Sequence, residues 1–148
     1  MEKKLNSNHQ SKTISLVVTS IVLASVGALL ELILIEHYEG TNQLIPIISI
    51  GSALFLFIIL LLNNTIAIRK IFRVVLCICA VAGVLGVYFH LDSNFQFEKE
   101  MRPNDSGGDL FWASFSGALP ALAPMSMLVF TLLGFIYLSS INNENETK

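Results

Sequence analysis

Four long runs of apolar residues constrain the fold of this chain more than any other feature. They cover residues 14–36, 44–62, 71–89 and 118–140. Each run is about 19–23 residues long, and a helix needs roughly 20 apolar residues to cross the hydrocarbon layer of a bilayer. The runs lack the apolar–polar alternation of a membrane β-barrel, whereas a helix satisfies its own backbone hydrogen bonds in lipid. The sequence therefore predicts an all-α membrane protein with an antiparallel bundle of four transmembrane helices.

The charged residues are few and gather at the ends of these runs. Asp, Glu, Lys and Arg make up 14% of the chain, against about 25% in soluble domains. A length of 148 residues indicates one domain at most. We therefore expect a single transmembrane domain over residues 14–140, preceded by a segment 1–13 and followed by a tail 141–148. The first run is longer than the apolar region of a signal peptide, which predicts an uncleaved span.

The basic residues predict the orientation of the bundle, because short loops rich in Lys and Arg face the cytoplasm. Seven of the nine basic residues fall on one side of the predicted bundle, namely Lys3, Lys4, Lys12, Arg69, Lys70, Arg73 and Lys148. We therefore expect both termini in the cytoplasm and a multi-pass protein of a bacterial inner membrane. The lipid bilayer is the expected partner, with a homo-oligomer or a partner membrane subunit as further options and no role for nucleic acid.

The predicted outer loop, residues 90–117, is long for a simple connection. In its stretch "NFQFEKEMR", Phe95 and Phe97 alternate with polar residues that include Glu98 and Glu100. Alternation of this kind favours an extended segment with one apolar face. We expect an ordered lid that is anchored by the two phenylalanines and lies over the helix ends, the alternative being a mobile, solvated acidic loop.

Two prolines interrupt the start of the fourth run. Pro120 and Pro124 are one helical turn apart, and Pro124 has no N–H to donate to the carbonyl of residue 120. This pattern predicts a kink or break, with the Pro120 carbonyl covered by polar groups of the lid because an uncovered one is costly near lipid. Just upstream we expect a short surface helix over residues 109–116, capped by Asp109, with Trp112 as an interfacial aromatic residue.

The candidate functional residues lie mainly at the outer ends of the first and third helices. Glu31 is the one acidic residue clearly inside a run, and a carboxylate within a membrane is a functional candidate by default. His37 and His90 follow the first and third runs at similar depth, and the lid would bring Glu98 and Glu100 near His90. Two imidazoles with a carboxylate suit a divalent metal, although no metal-binding motif or other cofactor signature is evident.

Two resemblances accompany these patterns. The stretches "NFQFEKEMRP" and "GGDLFWASFSGALPALAP", within residues 94–124, resemble uncharacterised small four-helix bacterial membrane proteins, and the resemblance implies no activity. Four short spans with one glutamate in the first are also similar to the small multidrug resistance transporters. This chain differs from them in its greater length, in a glutamate near the outer end of its span and in its elaborate third loop.

The sequence leaves three classes of function open. The leading interpretation is a non-enzymatic membrane protein whose acidic and aromatic outer face, above the kinked fourth helix, binds a small ligand, an ion or a partner subunit. The second is a small proton- or cation-coupled transporter that uses Glu31. The third is a metal- or haem-dependent membrane enzyme that uses His37 and His90. The chain has no recognisable catalytic signature, so we favour the first.

Overall fold

The computed structural model describes the backbone of residues 2–146 and the side chains of residues 10–142. Within that part of the chain all regular secondary structure is helical and there is no strand. The α-helices are α1 (Glu2–Leu34), α2 (Thr41–Leu62), α3 (Ile66–Met101), α4 (Gly107–Ala113) and α5 (Ser126–Glu146), with two short 3-10 turns at Ser114–Ser116 and Ala123–Met125. The all-helical class predicted from the sequence is thereby confirmed.

Within the described residues, four helical stretches are long and apolar enough to cross a membrane. They are Gln10–Leu34, Thr41–Leu62, Ile66–Met101 and Ala123–Asn142. In the bundle α1 packs against α2 and α5, and α3 also packs against α2 and α5, so α1 and α3 lie diagonally. These features are those of an integral membrane protein with four spanning helices.

One end of the bundle, which we call the closed end, is filled by large side chains. Phe57 of α2 packs against Phe72 of α3 and Tyr137 of α5, with ring centroids 5.7 Å and 5.0 Å apart. Leu60 and Leu76 are fully buried beside them. Dispersion contacts of this density hold helices together in lipid, where the hydrophobic effect between helices is largely absent.

Polar contacts at the same end connect helices that are distant in sequence. Arg69, near the start of α3, donates hydrogen bonds to the side-chain oxygens of Asn64 (2.6 Å) and Asn142 (2.7 Å). Thr65 caps α3 by accepting a hydrogen bond from the N–H of Ile68, as its position after a polar turn predicts. The first turn of α3 is therefore fixed to the last part of α5.

The third helix is longer than the sequence analysis predicted. We expected it to end near residue 89, with an extended lid over residues 94–102, but α3 runs without interruption to Met101 and has 36 residues. At 1.5 Å per residue it is about 54 Å long, so it projects well beyond a bilayer. The lid prediction is wrong because the Phe–Glu alternation lies on a continuous helix, where neighbouring residues point in different directions.

The fourth spanning helix starts later than predicted. We expected a kinked helix from residue 118, whereas residues 117–122 are not helical and regular α-helix begins only at Ser126. The two prolines therefore break the helix rather than bend it. The predicted surface helix is present as α4, but Ser106, not Asp109, caps it by accepting a hydrogen bond from the Asp109 N–H.

Candidate ligand-binding cavity

The end of the bundle opposite the closed end contains a cavity of about 430 Å³, and we call it the cavity end. Its walls come from α1, α2, α3 and residues 117–125, the stretch without α-helix before α5, which we call the broken segment. Its polar lining consists of Glu31, His37, Asn42, Gln43, His90, Ser93 and Ser126. Apolar residues supply the rest, among them Leu32, Ile50, Phe89 and Met127. Ligand sites in proteins are usually concave spaces of this size, mostly apolar with a few convergent polar groups.

The turn after α1 places His37 at this cavity. The N–H of His37 donates to the Leu32 carbonyl (2.8 Å) and the N–H of Glu36 donates to the Ile33 carbonyl (3.1 Å). These two bonds form a Schellman motif, in which one residue adopts the left-handed conformation. That residue is Glu36, with φ of 55°, where glycine is the usual choice because it has no Cβ.

The start of α2 supplies two further polar groups to the cavity. The side-chain oxygen of Gln43 accepts a hydrogen bond from the N–H of Gly40 at 2.9 Å, which holds the turn between α1 and α2. Pro46 lies inside α2 and has no N–H to donate to the Asn42 carbonyl. Asn42, Gln43 and Pro46 all line the cavity, so the start of α2 contributes two polar residues and a proline to its wall.

His90 of α3 binds the broken segment directly. Its Nδ1 lies 3.0 Å from the Pro120 carbonyl oxygen, and since a carbonyl can only accept, Nδ1 carries the proton. The same carbonyl accepts the N–H of Ala123 at 3.0 Å. The sequence predicts polar cover for this carbonyl from an extended lid, but in the structure a histidine on a helix provides that cover.

Asn94, one helical turn beyond His90, makes the most complete side-chain contact in this region. It is only 1% exposed. Its Nδ2 donates to the carbonyls of Ser114 and Leu119, both at 2.8 Å, and its Oδ1 accepts the N–H of Leu119 at 2.9 Å. All three partners are backbone groups: the Ser114 carbonyl in the 3-10 turn after α4, and the carbonyl and N–H of Leu119 in the non-helical stretch. Asn94 therefore replaces the missing backbone hydrogen bonds of the segment.

Two glycines allow the broken segment to approach α3 this closely. A Cβ on Gly117 would lie 2.5 Å from Cγ of Asn94, and one on Gly86 would lie 2.8 Å from Cβ of Pro124. Any larger residue at either position would push the segment away from α3. Gly83, Gly86, His90 and Asn94 recur at helical spacing, so they form one stripe along α3.

The cavity is lined by three titratable side chains, Glu31, His37 and His90, and, among the described lining residues, by no basic side chain of Lys or Arg. The His37 and His90 rings lie edge to face with centroids 6.4 Å apart. Burial, and secondly the neighbouring His90, lowers the pKa of His37 below its ordinary value of 6.5, because both disfavour the charged imidazolium. Glu31 is the one acidic side chain among the described residues that line the cavity.

The structure brings together some of the predicted site residues and separates others. Glu31, His37, His90, Pro120 and Pro124 all line the cavity. Glu98 and Glu100 do not line it and lie on the projecting part of α3, where Glu98 pairs with Arg102. The lid anchors Phe95 and Phe97 also lie outside the cavity, and Phe97 is exposed. Trp112 lies on α4, away from the cavity lining, and is exposed as well.

Of the side chains predicted to bind a metal, only His37 and His90 are shown close to each other. Among the residues whose side chains the structure describes, no group of three or more His, Cys, Asp or Glu side chains could hold a metal ion. His90 already uses Nδ1 for the Pro120 carbonyl, so its Nε2 would be the nitrogen available to a ligand. In the structure the His90 ring hydrogen-bonds the Pro120 carbonyl, and the His37 ring lies edge to face with it.

Sequence reasoning missed Asn94, Ser93, Asn42, Gln43, Ser126 and Gly117. Asn94 could have been found from its spacing of four residues from His90 if α3 had been extended through this region. The other polar residues carry no such signal, because isolated Ser, Asn and Gln at helix ends are common.

Comparison with protein-family models, with curated proteins and with solved structures gives no match for this chain.

Proposed function

We propose that this protein is a small membrane-embedded binding protein, whose cavity accepts a small ligand with an apolar body and one cationic or hydrogen-bonding head. The observation that carries the proposal is the convergence of Glu31 on α1, His37 in the turn after α1 and His90 on α3 on one apolar-walled space of about 430 Å³. An apolar wall favours a hydrocarbon body. A lone carboxylate favours a cationic or donor head over an anionic one.

The broken segment supports the same proposal. Pro120, Ala123 and Pro124 form a wall of the cavity, and an unbroken helix would place regular backbone there instead. Non-helical backbone at membrane depth is tolerated where it is buried in protein or lines a cavity. The break is thus costly for folding but useful for enclosing a space beside α3.

Three probes with the same tail test the proposal: octylammonium, 1-octanol and octanoate. Binding is measured by equilibrium dialysis against the protein in lipid nanodiscs, after subtraction of the uptake by empty nanodiscs. We expect the order octylammonium, then octanol, then octanoate. Ala28→Phe should abolish the excess binding because Ala28 lines the cavity. Ala24→Phe is the matched control, since Ala24 lies on the outer surface of the same helix. Equal uptake by protein-loaded and empty nanodiscs would refute the proposal.

Transport coupled to protons or cations is a second candidate, and the position of Glu31 on the cavity favours it. A carboxylate that exchanges a proton for a cationic ligand would couple the two movements. Proteoliposomes with an imposed pH gradient test this, with octylammonium uptake as the readout. Octylammonium uptake that follows the imposed gradient, and that no longer follows it in Glu31→Gln, would support transport. Uptake that does not depend on the gradient would exclude coupled transport and leave ligand binding as the proposed function.

The orientation of the bundle follows from the charge distribution. We propose that both termini face the cytoplasm of a bacterium and that the cavity end faces outward, because basic residues concentrate at the closed end. Reporter fusions after Asn64 and at the C-terminus should both read cytoplasmic, and an insertion at Asn104 should read exported. An exported signal at residue 64 would contradict this orientation.

A further inference from the structure

An exposed aromatic patch on α4 and the 3-10 turn after it has no role in the cavity. It consists of Phe111, Trp112 and Phe115, and Trp112 is 72% exposed. The three rings pack on one another, with centroids between 5.4 and 5.9 Å apart. We infer that this aromatic patch is seated in the headgroup region of the bilayer at the cavity end and anchors the broken segment there.

The depth of the patch in the bundle supports a lipid partner. Its 3-10 turn is tied to α3 at Asn94, which binds the Ser114 carbonyl. Between Arg73 and Asn94, α3 rises about 32 Å at 1.5 Å per residue, close to the roughly 30 Å of a hydrocarbon core. If Arg73 marks one boundary of that core, the aromatic patch lies at the opposite boundary. Tryptophan and other amphipathic aromatic rings concentrate at this level in membrane proteins.

Continuity with the lipid-facing surface gives a second argument. Exposed apolar residues follow the patch along the chain, through the broken segment and into α5, namely Leu119, Leu122, Met125, Val129 and Leu132. A protein partner that covered only the patch would leave these adjoining apolar residues uncovered. The bilayer covers the patch and these residues as one surface.

The patch is also rigidly attached to the cavity wall. Leu110 of α4 is buried, and Asn94 holds the backbone on both sides of Gly117 through Ser114 and Leu119. Seating the patch in the headgroup region therefore fixes the start of the broken segment relative to the bilayer.

The fluorescence of Trp112 tests the inference directly, because it is the single tryptophan of the chain. The full protein is placed in nanodiscs of phosphatidylcholine that carries bromine either near the headgroup or near the end of the acyl chain. We expect Trp112 to lose most of its emission with shallow bromine and little with deep bromine. We also expect aqueous iodide to quench it weakly.

Two matched variants calibrate the measurement, both in a Trp112→Phe background. Asn104→Trp, in the exposed turn before α4, should be quenched by iodide and not by brominated lipid. Leu132→Trp, on the exposed face of α5, should respond most to deep bromine. Iodide quenching of Trp112 as strong as that of Asn104→Trp would overturn the inference. Protection of Trp112 from both quenchers would also overturn it, and would indicate cover by another protein or by a second copy.

Discussion

The two ends of the bundle are built from the same four spanning helices but fill the space between them differently. At the closed end, the rings of Phe57, Phe72 and Tyr137 interdigitate and are buried. At the cavity end, the fourth spanning helix is interrupted, and His90 and Asn94 of α3 hydrogen-bond backbone groups of the broken segment. The difference shows that aromatic packing stabilises one end, whereas hydrogen bonds from His90 and Asn94 maintain an open space at the other.

The largest effect is expected from removing a buried aromatic ring at the closed end. Phe57→Ala should lower the free energy of unfolding by about 4 kcal/mol, because a fully buried phenylalanine is replaced by a cavity. Denaturant titration of the protein in detergent measures this loss. The matched variant is Phe89→Ala, which changes a partly exposed ring that already borders open space and should cost less than about 1 kcal/mol. Equal losses would mean that the two ends are packed alike.

The next largest effect is expected at the polar contacts of the cavity end. Asn94→Leu keeps the approximate side-chain volume but removes three hydrogen bonds, one buried and two partly buried. At about 1 kcal/mol for each bond, the variant should lose about 3 kcal/mol. Amide exchange should accelerate in residues 114–122 while the closed end keeps its protection.

Gln96→Leu is the control for this variant. It removes one exposed side-chain bond, to Asp92, and should change stability by less than about 0.5 kcal/mol. If Asn94→Leu leaves exchange in residues 114–122 at the rate of the unaltered protein, Asn94 is not what holds the segment.

A smaller effect, of opposite sign, is expected at the turn before the cavity. Glu36 adopts a left-handed conformation that costs a residue with a Cβ roughly 1–2 kcal/mol. Glu36→Gly should therefore raise the free energy of unfolding by about 1 kcal/mol after the entropic cost of glycine is subtracted. Glu39→Gly, at a neighbouring acidic residue outside the left-handed region, should give no gain. A loss in Glu36→Gly as large as that in Glu39→Gly would show that the turn is not strained.

The smallest effect is expected from the pH dependence of His37. Its pKa is lowered in the folded protein, so below its ordinary value of 6.5 the unfolded chain binds more protons than the folded one. The stability contribution of neutral His37 is therefore complete above that pH and is lost as the pH falls toward the folded pKa. Thermal unfolding between pH 7.5 and 5.5 should show this decline, and His37→Gln should reduce it. An identical decline in both proteins would remove His37 as its cause.

The fold was predictable from the sequence because it follows from one strong constraint. Long apolar runs have only one open-chain solution in lipid, so the number and approximate positions of the spanning helices are determined by hydropathy. Helix ends at the membrane surface are less constrained. The segment after His90 alternates apolar and polar residues, yet it continues α3, because Asn94 and Leu110 supply tertiary contacts that a local pattern does not contain.

The site was predictable only in part for the same reason. Glu31, His37 and His90 attract notice because charged or imidazole groups are rare near a membrane core, and all three line the cavity. Pro120 and Pro124 correctly indicated an interruption. Glu98 and Glu100 were misplaced because their position depended on an extended lid. Asn94 and Gly117 were missed because their role exists only when α3 and the broken segment are in contact.

Hydrogen exchange with and without a ligand tests the central claim most directly, that the cavity end is a binding site and the closed end is its rigid support. The protein in nanodiscs is compared with and without saturating octylammonium. The account predicts slower amide exchange in residues 85–94 and 117–127, with no change in residues 57–76. Unchanged exchange at the cavity end, or equal slowing at both ends, would contradict it.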